Sequence, residues 1–263
     1  MSEYSFGDLL REWRGRRRLS QLELSLRAAA STRHLSYLEN GRSRPSREMV
    51  LHLADELDVP LRERNRLLVA AGFAPAFRET ALDAVELAPA REAIERILAA
   101  QDPYPALVVD RRWDLVAANA GLAVFLEGVD PALLEPPANV VRASLHPDGL
   151  ARRIANIDEY AAHMLGRLRR DAEATGDPAV HELLAEIRTY PAVAHLPPSA
   201  GAHWGGTLLP LRLLTDGGEL SFFSTIATFG TPVDITLDEL SIELFFPADA
   251  ATAAALGGRR LDR

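Results

Sequence analysis

Ser20-Gln21-Leu22-Glu23-Leu24-Ser25-Leu26-Arg27-Ala28-Ala29-Ala30-Ser31-Thr32-Arg33-His34-Leu35-Ser36-Tyr37-Leu38-Glu39-Asn40-Gly41 is the stretch whose reading decides the fold of the first part of the chain. Ser20 and Glu23 have capping-box spacing, in which hydroxyl and carboxylate each satisfy an orphan amide of a helix start. Leu24 and Ala28 then face inward from a short helix. Ser31 caps the next helix, whose buried face is Leu35 and Leu38. Asn40–Gly41 ends it, since both residues tolerate the left-handed conformation of a helix stop. Two short helices therefore flank a turn of about three residues.

Outward from this pair, Phe6, Leu9, Leu10 and Trp13 predict an earlier helix that ends at Gly15 and the Arg16–Arg18 run. Pro45 and Ser46 open a later helix with Val50, Leu53, Ala54 and Leu57 at core spacing. Pro60 separates it from a fifth, carrying Leu61, Leu67, Leu68 and Ala71, which stops at Gly72. The net charge is −8, yet residues 11–47 carry ten arginines against Glu12, Glu23 and Glu39, a net of +7. Residues 76–263 hold 16 arginines against 27 acids, a net of −11. A basic block on an acidic body is the asymmetry expected where one domain alone meets a polyanion.

Two short helices and a turn inside a five-helix bundle describe a helix-turn-helix. Ser20–Leu24 and Ser31–Ser46 resemble the phage-repressor or XRE type over about residues 6–72. Ala29 departs from that pattern, standing in the turn where the family usually has glycine; a positive φ there would cost alanine modest strain. The resemblance implies that the third helix enters the major groove of double-stranded DNA. Thr32, Arg33, Ser36 and Tyr37 face outward near its start, and the Arg33 fork suits guanine O6 and N7. Gln21 resembles the family's phosphate-clamping glutamine, and Arg42 and Arg44 follow the reading helix as phosphate partners. One such module reads few base pairs, so a homodimer on an inverted-repeat operator is expected.

Behind a connector at residues 75–85, a helix is expected near 86–100, broken by Pro103-Tyr104-Pro105. Residues 106–110 and 113–119 read as strands and 120–126 as a helix, resembling the opening of a PAS-type sensor domain. One long amphipathic helix is predicted over 150–170, with Leu150, Ile154, Ile157, Ala161, Met164, Leu165 and Leu168 on its stripe. Another runs from about 178 to 190. The period then changes to two: 206–214 and 219–229 are strands around Asp216-Gly217-Gly218, 240–246 is a further strand, and 248–256 a closing helix. The strands would form one antiparallel sheet with helices on one side. The fold class is thus α+β, with an all-α helix-turn-helix bundle at 1–74 and a PAS-like antiparallel sheet with helices at 86–263.

Four further segments carry a second resemblance: 134–140, 145–150, 219–232 and 245–249. In this order behind an XRE-type domain they resemble the MmyB-like transcription regulators. Asn156–Ile157 departs from the Asn–Trp expected there, which implies a wider or differently shaped pocket. The resemblance implies a PAS-like domain that encloses a long-chain fatty acid or similar apolar molecule. Candidate lining residues are Trp113, Leu115, Phe125, Tyr160, Met164, Phe223 and Phe229, each of which is also an ordinary core residue by pattern. Arg142 or Arg153 would meet a carboxylate head group, or else form a surface ion pair.

Other functions find little support. The absence of cysteine excludes disulfides and thiolate chemistry. The seven histidines form no metal-ligand spacing, and the pair flanking a Pro/Gly-rich loop, His195 and His203, is a weak metal candidate. No Gly-x-Ser-x-Gly elbow or phosphate-cradling glycine loop occurs. No enzyme activity and no cofactor are therefore expected. No apolar run reaches the ~18–20 residues of a membrane span, and residues 1–18 have no signal-peptide core, so a cytoplasmic protein without a membrane partner is expected.

Overall fold

Four of the first five helices begin on a serine whose hydroxyl accepts a bond from the amide three residues on. Ser5 precedes α1 (Phe6–Arg16), Ser20 precedes α2 (Gln21–Arg27), Ser31 precedes α3 (Thr32–Glu39) and Ser46 precedes α4 (Arg47–Glu56). Each such cap is worth ~1 kcal/mol. Ser5 and Ser20 are complete capping boxes, with Asp8 and Glu23 returning the bond. α5 (Leu61–Ala70) starts after Pro60, which has no capping side chain. Asp238 stands in, its carboxylate accepting from Leu61 N at 3.1 Å. The structure is a computed structural model and describes residues 4–201 and 208–258.

The five helices bury one core, in which Leu10, Leu24, Leu35, Leu38, Leu53, Leu57, Leu67 and Leu68 are fully enclosed. Ala29 sits in the α2–α3 turn at φ +47°, the left-handed region that the missing glycine would have entered without strain. Past α3, Gly41 takes the left-handed position (φ +66°) while Asn40 stays at −98°.

This first compact unit continues to Ala81 and takes in Glu173–Thr175 and Thr231–Asp238. Asn65 holds the chain after α5, accepting from the amides of Ala76 and Phe77 and donating to Phe77 O. Asp234 accepts from both the amide and the hydroxyl of Thr80, at 3.3 and 2.6 Å. Ile235 N donates to Arg78 O and Thr236 Oγ1 to Thr80 O. The short helix α12 (Ile235–Asp238) thus completes the unit, although it comes some 150 residues after the rest.

In the second unit, α6 (Ala88–Gln101) leads into β1 (Ala106–Val109) and β2 (Leu115–Ala118), then α7 (Ala123–Leu126) and α8 (Val140–Leu145). The helices α9 (Ile157–Thr175, its last three residues in the first unit), α10 (Pro178–Ile187) and α11 (Pro191–Ala194) follow. β3 (Leu211–Thr215), β4 (Gly218–Ala227), β5 (Ser241–Pro247) and α13 (Ala250–Gly258) close the unit. All strand pairs are antiparallel, in the order β2-β1-β5-β4-β3. Thr215 pairs with Gly218 across the Asp216-Gly217 turn, and Gly218 uses φ +114°.

Three expectations are corrected. The predicted 150–170 helix is two pieces: a 3-10 turn at Leu150–Arg153 and then α9. Between them Ile154 bridges Leu213 of β3, and Asn156 accepts from Arg212 N and donates to Pro210 O. That edge pairing breaks the helical register, so Leu150 and Ile154 join the sheet's core rather than the α9 stripe. Nor do helices lie on one side only. Ala106 and Val108 are as fully buried as the alternating Leu107 and Val109, so β1 is covered on both faces, with α6 packed against it. Predicted strand 206–214 starts only at Leu211 among the described residues; positions 206 and 207 lie outside them.

Candidate functional site

On the first unit, Leu35 and Leu38 anchor α3 and leave Thr32 and Arg33 exposed, with Ser36 and Tyr37 half-buried. The Arg33 guanidinium lies 5.3 Å from the Tyr37 ring centre and its Nε donates to the phenol oxygen at 2.9 Å. Thr32 Oγ1 lies 3.1 Å from Ser25 Oγ on α2, a polar tie across the turn. Arg42 and Arg44 are exposed, with no side-chain hydrogen bond or ion pair among the described residues. Six of the seven expected DNA contacts, Gln21 apart, therefore lie on α3 and the loop after it.

Gln21 faces inward enough for its Nε2 to donate to Glu39 Oε2 at 2.7 Å. Glu39 is a functional support that sequence reasoning missed. Only 3% exposed, it accepts from Arg14 Nε at 2.6 Å and Nη2 at 3.1 Å, while Arg11 donates to its carbonyl. Burial pushes its carboxyl up, but the bonds from Arg14 and Gln21 outweigh that and hold it below the usual range. One carboxylate thus fixes α1, α2 and the end of α3 together. Its signal was its place beside Leu38 at a helix end, where an acid opposes the dipole and needs a reason.

The second unit encloses an apolar cavity of about 680 Å³, its open mouth included, between the sheet and helices α7–α9. Trp113, Leu115, Phe125, Tyr160 and Met164 line it. An adjoining lobe of about 320 Å³ shares Tyr160, Met164, Leu211, Glu243 and Phe245 and adds His163 and Arg167. Four expected lining residues are corrected. Phe223 belongs to the opposite face of β4, stacked on Phe246 at 5.3 Å, while Phe222 and Ser224 face the helices. Phe229 lies beyond the end of β4, part-exposed. Arg142 grips the Glu186 carboxylate through Nε and Nη2 (2.7–3.0 Å), and Tyr190 donates to the same group. Arg153 is occupied by the carbonyls of Val124, Glu127 and Leu214.

The polar end of the cavity was not anticipated. Arg167 Nη1 donates to both Glu243 oxygens, at 3.0 and 3.2 Å, and its guanidinium lies 4.5 Å from the Trp113 ring centre. Ser224 Oγ adds a 2.7 Å bond to Glu243. Tyr160 is pushed up to about 12, by burial first and then by Glu243, so its phenol stays a donor. Burial holds the His163 imidazole below its ordinary value, and Arg167 and Arg170 add to this. Strand parity carried a signal here: Glu243 alternates with Phe245 on the buried face of β5. His195 pairs with Asp158 at 3.1 Å, and His203 lies outside the described residues. Among the described residues no three His, Asp or Glu are placed to hold a metal, and no helix is long and apolar enough to cross a membrane.

Comparison with known families matches a helix-turn-helix domain at residues 5–67. The ligand-binding domain of MmyB-like transcription regulators matches at 90–257, most of the chain. No curated protein matches the sequence. A helix-turn-helix domain followed by this ligand-binding domain makes the chain a member of the MmyB-like transcription regulator family.

Proposed function

We propose that the protein is a cytoplasmic, non-catalytic transcription regulator that binds an inverted-repeat operator as a homodimer and answers to an elongated apolar ligand such as a long-chain fatty acid or related acyl molecule. The observation that carries this reading is the apolar cavity between α9 and the sheet, behind a domain whose third helix presents Arg33 outward. A dry apolar slot favours an alkyl chain by ~0.8 kcal/mol per buried methylene. Gln21, Arg42 and Arg44 hold phosphates; Thr32, Arg33, Ser36 and Tyr37 meet base edges or the adjacent backbone. A ligand moves the regulator only by its different affinity for two conformations, and coupling of ~1–3 kcal/mol is expected.

Mass spectrometry of a solvent extract of the purified protein identifies any acyl molecule it carries. Protein stripped of lipid is then tested for operator affinity with acyl compounds of several lengths. If none raises the melting temperature or alters operator affinity, the ligand-responsive reading falls, and a second domain devoted to protein contacts replaces it.

A further inference from the structure

Arg33, Arg42 and Arg44 stand on the surface made by α3 and the loop behind it. Arg42 and Arg44 are exposed and have no side-chain partner among the described residues. That freedom suits phosphate contacts, which position a protein without reading sequence. Arg33 differs. Tyr37, one turn further along α3 and half-buried, accepts its Nε proton at 2.9 Å, and the guanidinium lies 5.3 Å from the ring centre. Helical side chains lean toward the helix start, so a tyrosine at i+4 comes to lie over residue i. The tyrosine is itself anchored, since its carbonyl accepts from Arg42 N at 2.8 Å and from Ser43 N at 3.3 Å. With Nε spent, Arg33 offers the end of its fork, and neither Nη1 nor Nη2 is bonded among the described residues. Those two nitrogens present parallel N–H groups in one plane, the match for guanine O6 and N7. The other two-donor edge of the guanidinium, through Nε, is closed while the tyrosine bond stands.

We propose that Tyr37 is a positioning residue for base reading, its hydroxyl holding Arg33 so that guanine is met end-on through Nη1 and Nη2. This rests on the reading of α3 as the helix that meets base edges. Only the hydroxyl is assigned this task, and the rest of the ring stays free for the adjacent backbone. Because the hydroxyl acts through Arg33, its contribution vanishes when Arg33 is gone.

The test uses the full-length protein and a duplex that it enriches from a randomised pool. Guanines of that duplex are replaced one at a time by 7-deazaguanine, which lacks the N7 acceptor and keeps Watson–Crick pairing. One replacement is expected to weaken binding at least about fivefold, and Arg33→Ala abolishes that discrimination. Tyr37→Phe, which keeps the ring and loses the hydroxyl, lowers it to about twofold or less. In the Arg33→Ala background, Tyr37→Phe causes no further loss of affinity. Full discrimination by Tyr37→Phe overturns the positioning role. An equal loss in both backgrounds also overturns it, by showing that the hydroxyl touches DNA itself. If Arg33→Ala discriminates as well as the unaltered protein, or no replacement matters, the base-reading role of Arg33 fails and the inference with it.

Discussion

Arg33 leaves α3 with its guanidinium already held against Tyr37, so part of the entropy of ordering a long side chain is lost before DNA arrives. Arg33→Ala is expected to cost ~1–3 kcal/mol and to relax preference at one base step. Arg44→Ala should weaken all sequences alike. Binding to a panel of operator variants separates the two outcomes, and an unchanged preference after Arg33→Ala would remove α3 as the reading helix. Glu39 makes a different prediction. Glu39→Ala strands Arg14 in a half-closed site, and a melt should show a loss of ~3 kcal/mol in the first unit. Its folded carboxyl lies below the ordinary value of 4.5, so its contribution is complete above that pH. It is lost as pH falls through the lower, folded value. Acid titration of the Glu39→Gln variant should therefore lack that part of the loss.

Elements were legible where one local rule governs them. Serine caps, leucine spacing and the Asp216-Gly217 hairpin turn each depend on neighbours within a few residues, and they fell where expected. The break before α9 did not, because it is caused by β3, more than fifty residues away, through Ile154–Leu213 and the Asn156 bonds. The Phe222-Phe223 doublet shows the same limit: alternation has two phases, and only the partner strands choose between them. Choosing the wrong phase sent Phe223 to the cavity in place of Phe222 and Ser224. For Arg142 and Arg153 the sequence left head group and ion pair both open, because an arginine's partner is not written next to it, and the structure pairs them with Glu186 and Glu127. Met164, in contrast, lines both lobes as its position on the α9 stripe implied. Met164→Trp should fill the space and abolish acyl-chain binding while costing ~1–3 kcal/mol by overpacking. Calorimetry and circular dichroism on the same sample check loss of binding against retention of fold.

For the molecule as a whole, charge is segregated: +7 over residues 11–47 and −11 over 76–263. Operator affinity should consequently fall steeply with salt, as counterions leave ~4–8 phosphates per dimer. A shallow slope would mean that few of these arginines meet the backbone. Sedimentation should find a dimer at micromolar concentration and two subunits per operator; one monomer per operator would overturn the inverted-repeat reading.

The segment Thr231–Asp238 bears on the protein's synthesis. It caps α5 and locks Arg78 and Thr80, so the reading unit has its full set of bonds only once this stretch exists. Some 157 residues separate Ala81 from Asp238. At ~5–20 residues per second, the ribosome reaches the capping aspartate roughly 8–30 s after it has finished the five helices. During that interval most of the cavity's walls are made while α5 waits uncapped. Completion of the part that touches the genome is thus timed by translation of the part that holds the ligand.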